Sequence, residues 1–185
     1  ILKAVPESVL WLKFKPAEEA YKNLKAETLR AGVSSKRIIM ADDLPDHDAH
    51  LSRMAVADLY LDAPLYNGHA SAMDALRAKL PILTTKGNKF CTRVGESLCK
   101  DIGLSEMIAR NLKEYESKAI ELGLRPSKLL PLRKKIQENA DAVLSPATHA
   151  KRFELAIDKI LSTGRKTKTI PAKVQQKLYR STEIN

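Results

Sequence analysis

The sequence predicts an α/β domain: a doubly wound parallel sheet followed by C-terminal helices. Three observations carry that expectation. Short apolar runs alternate with helical stretches four times, the connections between them are short, and after the fourth strand only helical patterns follow. Parallel strands need a crossover, and a helix is the usual one, so this alternation places helices on both faces of a parallel sheet.

Each element has its own signal. "SVLWLKF" (8–14) is an apolar run bounded by turn-formers and reads as a buried strand, with Trp11 in the core. "PAEEAYKNLKAETLRAG" (16–32) reads as a helix that Pro16 opens, with acids in its first turn and Gly32 at its end. "RIIMA" (37–41) is the second strand. "LPDHDAHLSRMAVA" (44–57) is a helix entered through Pro45 and Asp46. "DLYLD" (58–62) is the third strand, "HASAMDALRAK" (69–79) a helix and "LPILTT" (80–85) the fourth strand. "CTRVGESLCKDIG" (91–103) is a helix stopped by Gly103. Helical stretches then cover 105–123, 127–143 and 145–164, the last starting at Ser145 and Pro146. Residues 1–164 are expected to form one domain and 165–185 a basic tail.

Composition narrows the class. The 185 residues are 44% hydrophobic and 29% charged, which suits a water-soluble fold with a sizeable core. No apolar run reaches the roughly 18 residues a membrane span needs, so no membrane partner is expected. The N-terminal "ILKAVPESVLWLKF" has no signal-peptide pattern and no initiator Met, which reads as a fragment of a longer chain. Cys91 and Cys99 lie too far apart along a helix to bridge and read as free thiols, hence a cytoplasmic location. The net charge is +10, and the last 21 residues carry six Lys or Arg against one Glu. That tail reads as solvated. The body ahead of it is only mildly basic and its aromatics are few, so no stacking platform for bases is evident and nucleic acid is not an expected partner.

The stretch "LDAPLYNGHASAMDALRAKLPILTT" (61–85) holds the candidate site. In open α/β sheets ligands bind beyond the carboxyl ends of strands. Here a loop with Asn67, Gly68 and His69 leaves a strand and enters a helix, whose first N–H groups and positive dipole end suit a phosphate. Ala70 and Ser71 are small enough for close approach, and Gly68 permits an unusual backbone angle. Asp74, one turn in, can accept a hydroxyl from a nucleotide's sugar. The alternative stays open that His69 only caps the helix and Asn67-Gly68 is an ordinary turn pair. Neither G-x-G-x-x-G nor a P-loop is present.

Other residues have plainer readings. His47 and His50 with Asp46 and Asp48 make a metal site imaginable, but acids at a helix start answer to the dipole. His149 reads as structural. Cys91 has Arg93 nearby but no local base. The "LRKKIQ" run (132–137) reads as a solvated helix face.

The string "RIIMADDLPDHDAHLSRMAVADLYLDAPLYNGHASAMDALRAKLPILTTKGNKFCTRVGESL", with "VPESVLWLKF" upstream, resembles the C-terminal catalytic half of the O-linked N-acetylglucosamine transferases. The resemblance runs over about residues 1–160. It implies a metal-independent glycosyltransferase of the GT-B type, with two Rossmann-like halves facing across a cleft and tetratricopeptide repeats ahead of them. The C-terminal half holds the donor, UDP-N-acetylglucosamine, and the acceptor is a protein Ser or Thr.

By this resemblance His69, Ala70 and Ser71 hold the diphosphate, and Asp74 binds the ribose hydroxyls. His50 and Arg53 face the uracil region, and Leu44 and Pro45 lie in the loop that reads the uracil. Arg93 is a donor-site or domain-contact candidate. Two departures stand out: Ala70 and Ser71 replace a frequent pair of threonines, and Asp46 and His47 stand where eukaryotic members carry a lysine. The N-terminal catalytic half, the repeats and an upstream lysine are expected to be missing, leaving a fragment inactive alone. The alternative reading is a degenerate, non-catalytic interaction module or a basic polyanion-binding domain.

Overall fold

A computed structural model of the chain describes residues 1–13 and 18–164. Pro16, read as a helix opener, and the basic tail 165–185 lie outside the described residues. The chain divides into two compact units, residues 1–145 and 146–185.

The first unit is α/β, with every strand pairing parallel. Strands β1 (Leu10–Leu12) and β2 (Ile38–Met40) form one sheet. Strands β3 (Tyr60–Leu61), β4 (Ile82–Thr85) and β5 (Ile108–Ala109) form a second, in that order. Helices α1 (Glu18–Arg30), α2 (His47–Val56), α3 (Ala70–Arg77) and α4 (Val94–Asp101) fill the crossovers, and α5 (Leu112–Leu124) and α6 (Leu129–Val143) follow. The second unit's described part is α7 (Pro146–Gly164), beginning at the predicted proline. Among the described residues no helix is long and apolar enough to cross a membrane.

The sequence signals hold where a cap or breaker defines the end. Asp46 caps α2, its Oδ1 accepting from Ala49 N at 2.7 Å. Gly103 takes φ +84° just past α4, a conformation that costs other residues more. Differences arise where tertiary pairing decides. Residues 105–111 were expected to be helical, but a 3₁₀ turn (Ser105–Met107) leads into β5, and α5 starts only after Asn111, its N-cap. Strand β5 is two residues long and exists because Thr84 and Thr85 of β4 pair with it. Likewise 91–93 was expected in a helix, but Phe90–Thr92 is a 3₁₀ turn and α4 begins at Val94.

Trp11 corrects another expectation. Its side chain is 40% exposed, as is its partner in register, Ile39, at 39%. They share one face of the β1–β2 sheet, so that face is only partly covered within the described residues. The second sheet is the buried one. All four residues of β4 are buried, and Leu76, Leu80, Ile102, Leu104 and Ile136 close around it from α3, α4 and α6 and their connections. Arg37 ties the N-terminal segment down, its guanidinium donating to the carbonyls of Leu2, Val5 and Ser8.

Gly95 sets how closely α4 approaches the sheet. A Cβ there would lie 2.3 Å from both Asp62 Oδ2 and Thr84 Oγ1. Helix propensity favours Ala over Gly by about 1 kcal/mol, whereas overpacking costs about 1–3 kcal/mol and here also strains a buried hydrogen bond. Gly95→Ala is therefore expected to destabilise the first unit by about 1–2 kcal/mol net, read as a lowered denaturant midpoint.

Candidate functional site

The carboxyl ends of the strands gather the site. Asp62 follows β3 and is 1% exposed. Its Oδ1 accepts from Gly68 N at 2.7 Å and its Oδ2 from Thr84 Oγ1 at 2.6 Å. Its carbonyl accepts from Tyr115 Oη at 3.0 Å. Burial pushes the Asp62 carboxyl above its ordinary value, against the pull of those hydrogen bonds.

Asn67, also 1% exposed, fixes the rest of the loop. Its N–H donates to Cys91 O at 2.8 Å, its Nδ2 to Ala63 O at 3.0 Å, and its Oδ1 accepts from Gly95 N at 3.1 Å. Asn67-Gly68 is thus more than a surface turn pair. Gly68 has no positive φ, contrary to the expectation of an unusual backbone angle. It is needed for space: a Cβ would lie 2.3 Å from the Tyr60 hydroxyl and 2.7 Å from Ser71 Oγ.

His69 is the N-cap residue of α3, yet its side chain makes no capping bond. His69 thus holds the N-cap position of the plainer reading, but without the side-chain bond that a capping residue usually makes. Its Nε2 is buried without a hydrogen-bond partner among the described residues. Ala70 and Ser71 open the helix beside it and are exposed. Ser71 Oγ lies 3.0 Å from the Tyr60 hydroxyl. The first N–H groups of α3 have no partner within the helix and end at this mouth.

Asp74 lies one turn further. Its side chain is 13% exposed, with Arg77 Nη1 at 3.1 Å and His47 Nε2 at 3.4 Å from the same oxygen, Oδ1. His47 therefore links α2 to α3. Its ring centroid lies 6.2 Å from that of His50, and among the described residues no three His, Cys, Asp or Glu side chains converge as a metal site would need. His50 titrates below its ordinary value, first through burial and then through the charges of Lys13 and Arg53. Arg53 Nη2 lies 3.4 Å from His50 Nδ1, and Arg53 Nη1 donates to Asp42 O at 2.5 Å. Leu44 and Pro45 are exposed ahead of α2.

The structure thus brings His69, Ala70, Ser71 and Asp74 together on one helix start, with His50 and Arg53 on the neighbouring helix. Arg93 comes from a different element, the start of α4, with its Nε 3.9 Å from Glu96 Oε2. Sequence reasoning missed Asp62, Thr84 and Tyr115 as builders of the loop, and His47 as the partner of Asp74. The available signal for the first was an acid ending an apolar strand just before "NGH". The signal for the second was a histidine one turn from His50 on the same helix.

Glu96 is the other buried carboxylate near this end. The hydrogen bond from Lys100 Nζ at 2.7 Å, with Lys86 and Arg93 nearby, holds it below its ordinary value despite burial. An unfolded chain takes up this proton at higher pH than the folded one, so the pairing stabilises above the ordinary carboxylate range and is lost as pH falls through the folded value. Asp62 has the opposite sign, so the comparison must be against wild type. Glu96→Gln is expected to cost about 1 kcal/mol at pH 7, because its cationic partners are largely exposed. That deficit should shrink at an acid pH below the lowered folded value, where Glu96 too is neutral. Denaturant unfolding of both proteins at the two pH values reads the difference.

Comparison with known proteins fits this geometry. The chain is 40% identical over 138 residues to the probable UDP-N-acetylglucosamine–peptide N-acetylglucosaminyltransferase SEC of Arabidopsis thaliana, covering 74% of this chain and 14% of that protein. It is 32% identical over 136 residues to the UDP-N-acetylglucosamine–peptide N-acetylglucosaminyltransferase of Caenorhabditis elegans, covering 74% of this chain and 12% of that protein. Its fold matches a mutant O-GlcNAc transferase from Thermobaculum terrenum with a TM-score of 0.76 at 25% identity, over 85% of this chain and 31% of that one. The chain therefore spans a small part of the length of these relatives. The family model that matches covers residues 1–154, and on that match the chain belongs to glycosyl transferase family 41.

Proposed function

We propose that this chain is the donor-binding part of a protein O-linked N-acetylglucosaminyltransferase, holding UDP-N-acetylglucosamine at the start of α3. The observation that carries the reading is His69. Its Nε2 is buried and unpartnered at a helix N-terminus beyond the carboxyl end of a parallel strand. An unsatisfied buried polar atom costs about 1–3 kcal/mol, which a phosphate oxygen reaching it would offset. The names of the relatives supply the donor and the peptide acceptor.

The chemistry follows from charge. In transfer, the bond from the anomeric carbon to the β-phosphate oxygen breaks, and a Ser or Thr hydroxyl oxygen takes the carbon while its proton passes to solvent or to the departing UDP. Negative charge then grows on the departing UDP. The N–H groups at the start of α3, its dipole and His69 stabilise that charge. Ala70 contributes only its backbone, and Ser71 adds a hydroxyl. Asp74 uses one oxygen for Arg77 and His47 and has acceptor capacity left for ribose hydroxyls. His50, Arg53, Leu44 and Pro45 line the approach from α2, where the base would lie, and Arg93 stands at the rim.

The remaining features of the proposal rest on family likeness. The transfer is metal-independent, and it requires an N-terminal catalytic half and tetratricopeptide repeats beyond these residues. A cytoplasmic setting agrees with Cys91 and Cys99 being free thiols. Burial raises the Cys99 thiol to about 12, so it stays protonated.

Calorimetric titration of UDP into the full chain tests the reading. Saturable binding is expected, weakened about 10-fold or more in His69→Ala and in Asp74→Asn, with circular dichroism unchanged. Absence of UDP binding, or binding indifferent to both substitutions, overturns it. Polyanion binding that collapses with salt would favour the non-catalytic alternative instead.

A further inference from the structure

The ring of His69 has no hydrogen bond at Nε2 and makes no capping bond, so its orientation is left to packing and to the charge of nearby Asp62. Two aromatic rings touch it. Tyr66 stacks on it with centroids 5.1 Å apart and planes 13° apart. Phe90 meets it edge-on, at 5.9 Å and 87°. Both geometries lie within the favoured range for aromatic pairs. Neither ring belongs to the core: Tyr66 is 64% exposed and Phe90 82% exposed.

The two rings come from different segments, and one backbone bond brings them together. Asn67 N donates to Cys91 O at 2.8 Å. Asn67 is the neighbour of Tyr66 and Cys91 the neighbour of Phe90. The same Asn67 is buried and also accepts from Gly95, so this junction is anchored to the start of α4. On the far side, Lys89 and Thr92 close the 3₁₀ turn that carries Phe90, through Lys89 N to Thr92 Oγ1 at 3.1 Å. An anchored backbone therefore sets two largely exposed aromatic side chains against one imidazole.

We propose that Tyr66 and Phe90 are positioning residues that brace the His69 imidazole, one on its face and one across it, so that it meets the donor's diphosphate in a single orientation. This rests on the donor-site reading above. The brace acts through His69 and needs no contact between either aromatic ring and the ligand. The Tyr66 hydroxyl has no part in it, so Tyr66→Phe leaves the brace intact.

The test uses the full chain and two readouts. NMR of the imidazole Cε1–H resonances reads the brace without ligand, with His69→Ala identifying the His69 signal. Tyr66→Ala is expected to move that signal, and Tyr66→Phe to leave it in place. UDP titration then reads the consequence. Tyr66→Ala should bind about 2- to 10-fold more weakly, Tyr66→Phe should match wild type, and Tyr66→Ala combined with His69→Ala should be no weaker than His69→Ala alone. Phe90→Ala should behave like Tyr66→Ala. If His69→Ala weakens binding while Tyr66→Ala and Phe90→Ala do not, the brace is overturned and the donor site stands. If Tyr66→Ala tightens binding, the rings obstruct rather than brace, and the proposal is overturned. If wild type binds no UDP, the donor-site reading fails and the brace, which rests on it, is overturned with it.

Discussion

One buried carboxylate organises the carboxyl-terminal end of the β3–β4–β5 sheet. Asp62 sits at the end of β3 and touches three other parts of the chain: the loop at Gly68, strand β4 at Thr84, and helix α5 through Tyr115. Burying a charge costs several kcal/mol, and hydrogen bonds to a charged group return about 1.5–3 kcal/mol each. Burial raises the Asp62 carboxyl against the pull of those hydrogen bonds. What the bonds supply is geometry. Asp62 fixes the direction in which the chain leaves the sheet, and Gly95 leaves the room this requires.

The site inherits its shape from that constraint. With Gly68 pinned to Asp62 and Asn67 pinned to Cys91, the residues between strand and helix have little freedom left. His69 must then begin α3 at a defined place. Cations cluster at two places in the folded body: Lys13 and Arg53 act on His50, and Lys86 and Arg93 lie beside Glu96. The link from His47 to Asp74 adds stiffness between α2 and α3, at the position where eukaryotic relatives of this family were expected to carry a lysine.

Much of this was legible in the sequence, for physical reasons. Asp46 and Gly103 are local devices, and local devices survive folding unchanged. The alternation of strands and helices reflects a sheet buried by crossovers, and β4 follows it fully. Strand β5 was hidden because two residues carry no period, and only their partner on β4 makes them a strand. Trp11 was misplaced because an apolar run does not say how many of its faces are covered. Within the site, the helix start and Asp74 could be read from chain order alone. The contacts of Asp62 to Tyr115 and Asn67 to Gly95 span 53 and 28 residues, and no local pattern encodes them.

The split between the two sheets has a consequence for how this polypeptide behaves alone. Among the described residues β1 pairs only with β2, and β3 only with β4, so each keeps a free margin. A free margin presents backbone donors and acceptors with no instruction as to whose strand should meet them. The side chains of Leu10–Leu12 do little to forbid a visitor, being apolar throughout. A core as well packed as the one around β4 protects against unfolding but offers no defence at such a margin. Solubility and stability are therefore separate properties of this chain, governed by different residues.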